Sequence, residues 1–265
     1  MVIPTVFSSP ISSGNDKLII RDTVRSGSPK LSNTFSSVQL TRRDDDDDEK
    51  PLWENSTPKA NDIKQGKNND WFLCALSSIV NKNKDDIKSK IDDSEKNENG
   101  EKIVKVKLFN MNKQDWQTKD ITYGDIDKKK NGNSGDIWWP SVFEEAAQEI
   151  EGTGFIENHE FLKDGTGDIG LRMISGIQSE TLTLDEDVDN TETRAKLWNV
   201  LKISNTSPMC IKKDNRWYGL LGTQDQQGSD VGRVTLYDVK KGKEENLNFN
   251  EIKDKLSHYS KFIQV

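Results

Sequence analysis

The stretch QGKNNDWFLCALSSI, Gln65 to Ile79, decides how the rest of the chain is read. It begins as a polar loop built on glutamine, glycine and asparagine. At Trp71 it turns apolar and stays so to Val80. That run is too long for an ordinary strand and has Asp70 at its start, so it predicts a helix over Trp71–Val80 with an acidic N-terminal end.

Working outward, the periodicity sorts the neighbouring segments. Asp85 to Ile91 predicts a short second helix. In Lys102 to Phe109, Val104, Val106 and Leu108 alternate with Ile103, Lys105 and Lys107, a period of two that predicts a strand. Trp116 to Thr122 is its expected partner, and Asn131 to Gly135 a loop. Trp138 to Ile150 predicts a helix, with Pro140 in the first turn and Val142, Phe143, Ala146, Ala147 and Ile150 on one face. Asp168 to Ser175 and Thr191 to Ile203 predict further helices, and Glu180 to Leu184 a strand. Strands then dominate: Pro208–Lys212, Arg216–Thr223, Arg233–Val239 and Lys261–Val265, with a last helix over Phe249–Leu256. Helices first and a mostly antiparallel half after them give an α+β chain of two lobes, 51–178 helical and 179–265 β-rich.

Residues 1–50 differ in kind. SSPISSG, RSGSPK and TFSS are rich in Ser, Pro and Gly and poor in large apolar groups. Such a segment buries too little surface to offset its chain entropy and reads as a mobile tail. The five aspartates Asp44 to Asp48 repel one another and read as a solvated linker.

Over all 265 residues, 32% are hydrophobic and 31% charged, with a net charge of −7. That balance argues against a general affinity for nucleic acid or anionic membrane. No run approaches the ~18 apolar residues of a membrane span. The first twenty residues lack a basic n-region followed by an apolar h-region, so no Sec signal peptide is expected. Cys74 and Cys210 sit in apolar contexts and read as buried free thiols rather than a disulfide framework. With two histidines and two cysteines, a zinc site is not expected.

A helical lobe followed by a β lobe is the arrangement in which papain-like folds mount cysteine-peptidase chemistry. That chemistry needs a thiolate at a helix N-terminus, a histidine base from the opposing lobe, an orienting Asn or Asp and an oxyanion donor. Asp62-Ile63-Lys64-Gln65-Gly66 followed by Asn69-Asp70-Trp71-Phe72-Leu73 resembles the calpain core motif D-x-x-Q-G-x-x-G-D-C-W-x-L. Trp139-Pro140-Ser141-Val142-Phe143-Glu144-Glu145-Ala146 looks like the calpain W-x-A-L-L-E-K-A helix, and Asp164 to Gly176 resembles the turn and helix after it. Arg216 to Gly222 stands where calpains have G-H-A-Y-S-V. Val234 to Lys241 stands where their strand ends in N-P-W-G, and Phe249 to Val265 resembles the closing helix and strand. The resemblance covers about 51–265 and implies a papain-like, calpain-type protease core.

It also exposes what is missing. Gln65 matches the oxyanion glutamine. Asp70 matches either the Asp before the nucleophile, leaving the Cys without a counterpart, or the Cys position itself. Arg216 falls on the His position and stays protonated near neutral pH, so it cannot act as a general base. Lys240 or Lys241 falls on or beside the Asn position. The long segment that calpain cores carry after that Asn is nearly all absent. Asp70, Arg216 and Lys241, converging on one cleft, read as a structural ion-pair network, with charged-ligand recognition as the alternative.

Cys74 lies one turn into the helix, about 5–6 Å beyond the expected site, facing core. His159 belongs to the left lobe and His258 to the closing helix or turn. The calpain resemblance further implies calcium. Asp62 matches one acidic ligand and Asp136 stands next to the position of its partner, an incomplete set for a hard cation.

The expected molecule is therefore a calpain-like pseudoprotease, without required cofactor, that binds a partner or host protein. An active cysteine endopeptidase using a displaced Cys74 is the alternative, and a non-proteolytic enzyme reusing Asp70, Arg216 and Lys241 is a third. The Ser-rich N-terminus resembles bacterial type III secretion signals in composition. The expected location is the cytoplasm or, for a bacterial effector, outside the cell without a Sec signal.

Overall fold

The computed structural model describes residues 51–263, except 67, 97, 99, 123, 125, 127–136, 151–154, 185–189 and 230. Residues 1–50, with the Asp44–Asp48 run, and the Asn131–Gly135 loop lie outside the described residues. Among the described residues there are six α-helices and three sheets, the helices being α1 (Asp70–Lys82), α2 (Lys84–Lys88), α3 (Trp139–Gln148), α4 (Gly167–Ser175), α5 (Thr191–Leu201) and α6 (Phe249–Ile252). A small sheet holds β1 (Ile91–Lys96), β2 (Lys102–Asn110) and β3 (Asp115–Thr122), in that order. β4 (Ile156–Glu157) and β5 (Glu160–Phe161) form a two-stranded hairpin. The main sheet has the order β10-β9-β8-β7-β11-β6, from β6 (Ser179–Thr183), β7 (Met209–Lys213), β8 (Arg216–Gln224), β9 (Arg233–Asp238), β10 (Lys243–Asn248) and β11 (Leu256–Phe262). Every one of these pairings is antiparallel, so the class is α+β. No helix among the described residues is long and apolar enough to cross a membrane.

The centre of the fold is α1. Each of its residues from Trp71 to Val80 is buried, so it has no solvent face. A helix apolar all round must be covered on every side. The inner face of the main sheet covers one side and α4 another, and both come close at a glycine. A Cβ on Gly219 of β8 would lie 2.3 Å from Ser77 Oγ. A Cβ on Gly170 of α4 would lie 2.8 Å from both Ala75 Cβ and the Trp71 carbonyl oxygen. Around α1 gathers one core, joining Val104, Val106 and Leu108 of β2 and Val142, Phe143 and Ala146 of α3 with Cys210, Trp217, Leu221 and Tyr237 from the inner face of the main sheet. The outer face of that sheet builds a second core under α5 and α6, from Trp198, Leu201, Leu220, Leu236 and Phe249.

Local structure departs from the sequence expectations where polar or irregular strands occur. Ile91 opens β1 instead of closing a helix; α2 ends at Lys88. β1 has one apolar residue in IDDSEK and a register shift between Asp92 and Glu95, which hides it from a periodicity search. β10, KEENLN, is a polar edge strand. The last helix stops at Ile252, and a turn of 3-10 helix leads into β11, which starts at Leu256 rather than Lys261. A register shift between Leu256 and His258 puts both Leu256 and Tyr259 in the interior and breaks the period of two.

The close approach at Gly170 gives a direct test. At an open helix position, Gly→Ala gains about 0.8–1.0 kcal/mol of helix propensity. At Gly170 the added methyl meets backbone, and overpacking costs about 1–3 kcal/mol. Gly170→Ala is expected to be net destabilising in urea unfolding; a gain in stability would show that α1 and α4 are less tightly packed than described.

Candidate functional site

The loop from Ile63 to Asn69 is pinned to the far end of β9. Tyr237 OH donates to the Ile63 carbonyl at 2.6 Å, and Gln65 N–H donates to the Val239 carbonyl at 2.7 Å. Burial pushes the Tyr237 hydroxyl well above its ordinary pKa, with Asp62, Glu244 and Asp238 adding to the rise, so it stays a neutral donor. At the other end of the loop the buried Asn69 side chain donates to Glu144 Oε1 on α3.

Asp70 then opens α1. Its Oδ1 accepts from Trp71 N–H at 3.1 Å and its Oδ2 from Trp217 N–H at 2.8 Å. A carboxylate at a helix N-terminus complements the dipole, and the second bond ties that terminus to the start of β8. Trp71 and the chain beyond hold the opposite wall. Trp71 Nε1 donates to the Leu162 carbonyl at 3.0 Å, and its indole fills the space a side chain at Gly165 would need. Phe161 packs on Phe72 and Trp71, with ring centroids 5.2 and 5.6 Å apart.

These constraints leave a cleft of about 480 Å³, lined by Gln65, Gly66, Asn68, Glu160, Phe161, Lys163 and Lys240. The volume is in the range of ligand-binding pockets. Three chain segments contribute: the loop before α1, the β4–β5 hairpin and the turn after β9. Gln65 and Lys240 were singled out from the sequence; the hairpin residues were not, because two-residue strands carry no periodicity.

Asp70, Arg216 and Lys241 do not form the ion-pair network expected from the sequence. Its acidic centre is Asp238, fully buried at the end of β9. Arg216 Nη2 bonds Asp238 Oδ1 at 2.8 Å, the N–H groups of Lys240 and Lys241 add bonds at 3.0 and 3.2 Å, and Lys241 Nζ lies 3.4 Å from Oδ2. Lys241 Nζ also pairs with Glu245 at 2.5 Å. Burial lowers the Arg216 pKa, the Asp238 bond and the Tyr218 and Asp238 charges more than offset it, and Asp70 adds only a minor effect. Burial pushes the Asp238 carboxyl up, but the Arg216 and Lys241 bonds and charges outweigh it and hold it below the ordinary carboxylate value. The side chain that β8 turns toward α1 is Trp217, which joins the α1 core, while Arg216 lies 5.3 Å over the Tyr218 ring.

The thiols are out of reach of the cleft. Cys74 is fully buried and donates to the Trp71 carbonyl at 3.1 Å. Burial drives its pKa well up, and neighbouring Cys210 and Asp70 push the same way, the reverse of an activated thiol. Cys210 is fully buried on β7 opposite Gly219. His258 is not in a helix or turn: it stands in β11 between Lys212 and Thr183, its ring 6.5 Å from Trp217. Burial lowers its pKa and Lys212 lowers it further. His159 is exposed at the β4–β5 turn, 3.8 Å from Glu149.

Asp62, which the calpain resemblance offers as a calcium ligand, has structural partners. It is buried, and its Oδ2 already accepts from Trp139 Nε1 and Lys59 N–H, both at 2.8 Å. Burial raises its pKa despite those bonds. Asp136 lies outside the described residues. Among the described residues no group of three or more His, Cys, Asp or Glu is placed to hold a metal ion. No protein-family model matches the chain, and no curated protein does.

The two buried aspartates should respond oppositely to pH. The folded pKa of Asp238 is depressed, so its stabilisation is present above the unfolded value of about 3.9 and is lost as pH falls through the folded value. Arg216 is 32% exposed, so removing the charge should cost less than breaking a fully buried pair, about 1–3 kcal/mol. Asp238→Asn is expected to lose that much near pH 7 in urea unfolding, with the gap closing below about pH 4. The folded pKa of Asp62 is raised, so its contribution is present at low pH and lost as pH rises through that value. Asp62→Asn should therefore gain on the native chain between about pH 4 and pH 7; parallel profiles for the two variants would contradict these assignments.

Proposed function

We propose that the chain is a catalytically inactive relative of calpain-like cysteine peptidases that acts by binding a protein partner in the cleft beside α1. What supports this most is the helix N-terminus itself. A peptidase needs a thiolate there, within reach of a base. Here the position holds Asp70, with its carboxylate spent on Trp217 N–H and Trp71 N–H. A carboxylate is a poor nucleophile toward a peptide bond and repels a developing oxyanion. Arg216, at the expected base position, is a permanent cation engaged with Asp238.

What the cleft retains is suited to recognition. Gln65 and Asn68 offer amide donors and acceptors, Phe161 an apolar surface, and Lys163, Lys240 and Glu160 fixed charges. We read the Ser-rich N-terminus as an export signal and the partner as a host protein, which makes the chain a secreted effector. Composition supports that part: SSPISSG, RSGSPK and TFSS all lie within residues 1–50. The active-enzyme alternative would have to bring Cys74 out of the core.

The test has two arms. The purified full chain, with and without calcium, is incubated with unfolded casein. No fragments are expected from the native chain or from Cys74→Ala, whereas Cys74-dependent cleavage would overturn the proposal. In the second arm, peptides selected from a random display library on the native chain are re-tested on Asn68→Trp, which fills the cleft from an exposed position. Retention is expected to fall about tenfold or more, equivalent to about 1.4 kcal/mol. Binders indifferent to that change would place recognition elsewhere.

A further inference from the structure

We propose that the cleft takes an acidic peptide segment of the partner, an inference that rests on the cleft-binding proposal above. Among the described residues, its lining carries two ammonium groups, Lys163 and Lys240, against a single carboxylate, Glu160. Among the described residues neither lysine has an ion-pair partner, whereas nearby cations are already neutralised: Arg216 by Asp238, and Lys241 by Asp238 and Glu245. The two lining lysines are thus uncommitted cations in a chain of net charge −7. Lys64, next to Gln65 in the chain, lays its stem against Gly242, in the same turn as Lys240.

Distance decides whether the local or the overall charge governs binding. At physiological salt the screening length is about 8 Å, so charges spread over the far surface act weakly on a bound ligand. A cavity of 480 Å³ would, if spherical, be about 10 Å across, close to one screening length, so a ligand inside it is only partly screened from the lysines of the lining. Charges outside the cleft are screened more strongly than the local excess.

The lining also distinguishes peptide from polyanion. Glu160 and the Phe161 ring interrupt the positive surface, and the Gln65 and Asn68 amides present both donors and acceptors. A nucleic-acid backbone or polyphosphate would bring continuous negative charge against Glu160. An extended peptide with carboxylates spaced by polar or apolar residues can place its acids on Lys163 and Lys240 and its backbone on the amides.

The test uses the full chain and short fluorescein-labelled peptides of one length, alternating serine with glutamate, glutamine or lysine, in fluorescence anisotropy. Inorganic polyphosphate serves as the non-peptide probe. The glutamate peptide is expected to bind tightest and to weaken as salt rises. Lys163→Glu, Lys240→Glu and Asn68→Trp should each reduce its affinity about tenfold or more. All three changes are at exposed positions, and an unchanged thermal midpoint verifies that each variant is folded. Tighter binding of the glutamine or lysine peptide, lost in Asn68→Trp, would overturn the acidic preference and leave the cleft-binding proposal standing. Glutamate-peptide binding indifferent to all three variants, or polyphosphate bound more tightly, would overturn the inference. If no peptide of any charge binds in an Asn68→Trp-sensitive way, the cleft-binding proposal fails with it.

Discussion

The constraint on which the rest of the structure depends is the complete burial of α1. Ten consecutive residues, Trp71 to Val80, are buried, so the helix must be enclosed, chiefly by the main sheet and α4. Enclosure demands close approach, and Gly219 and Gly170 permit it on two sides. It also fixes where the helix begins. Once Asp70 bonds Trp217 N–H and Asn69 bonds Glu144, the preceding loop has a defined end, and Gln65 bonded to Val239 defines the other. The cleft is the space left beside that pinned loop.

The charges next to the cleft follow a consistent division of labour. Asp238 is buried and holds the start of β8 to the turn after β9 through Arg216 and Lys241. Asp70 serves the helix terminus and a strand N–H. Asp62 anchors the Trp139 indole. Each of these acids has structural work that competes with chemistry at the same atoms. By contrast, Lys163 and Lys240, which line the cleft, have no ion-pair partner among the described residues.

Much of this was legible in the sequence, for identifiable physical reasons. α1, α3 and β2 carry long, strongly periodic apolar patterns, and their extents differ from expectation by only a few residues. The α+β order followed from them. β1, β10 and β11 were missed or displaced because they are polar, at an edge or broken by a register shift, so no period of two survives. At the site, Gln65 was visible as a match to a motif, and Asp70 and Arg216 as departures from it. Asp238 was not, because one aspartate at the end of a strand shows nothing of its burial until β8 and β9 are paired. The hairpin that brings Glu160, Phe161 and Lys163 into the cleft is likewise a tertiary result: its strands have two residues each and are placed by the packing of Phe161 on Trp71 and Phe72.

The central claim is that neither thiol reaches the cleft beside α1 and that both belong to the core. It is tested most directly by incubating the folded chain, with and without calcium, with an epoxide cysteine-peptidase warhead at mildly acid pH and measuring the intact mass. The account predicts an unmodified mass for the native protein, with labelling of Cys74 and Cys210 only after denaturation. A single adduct on native protein, mapped to Cys74, would contradict it.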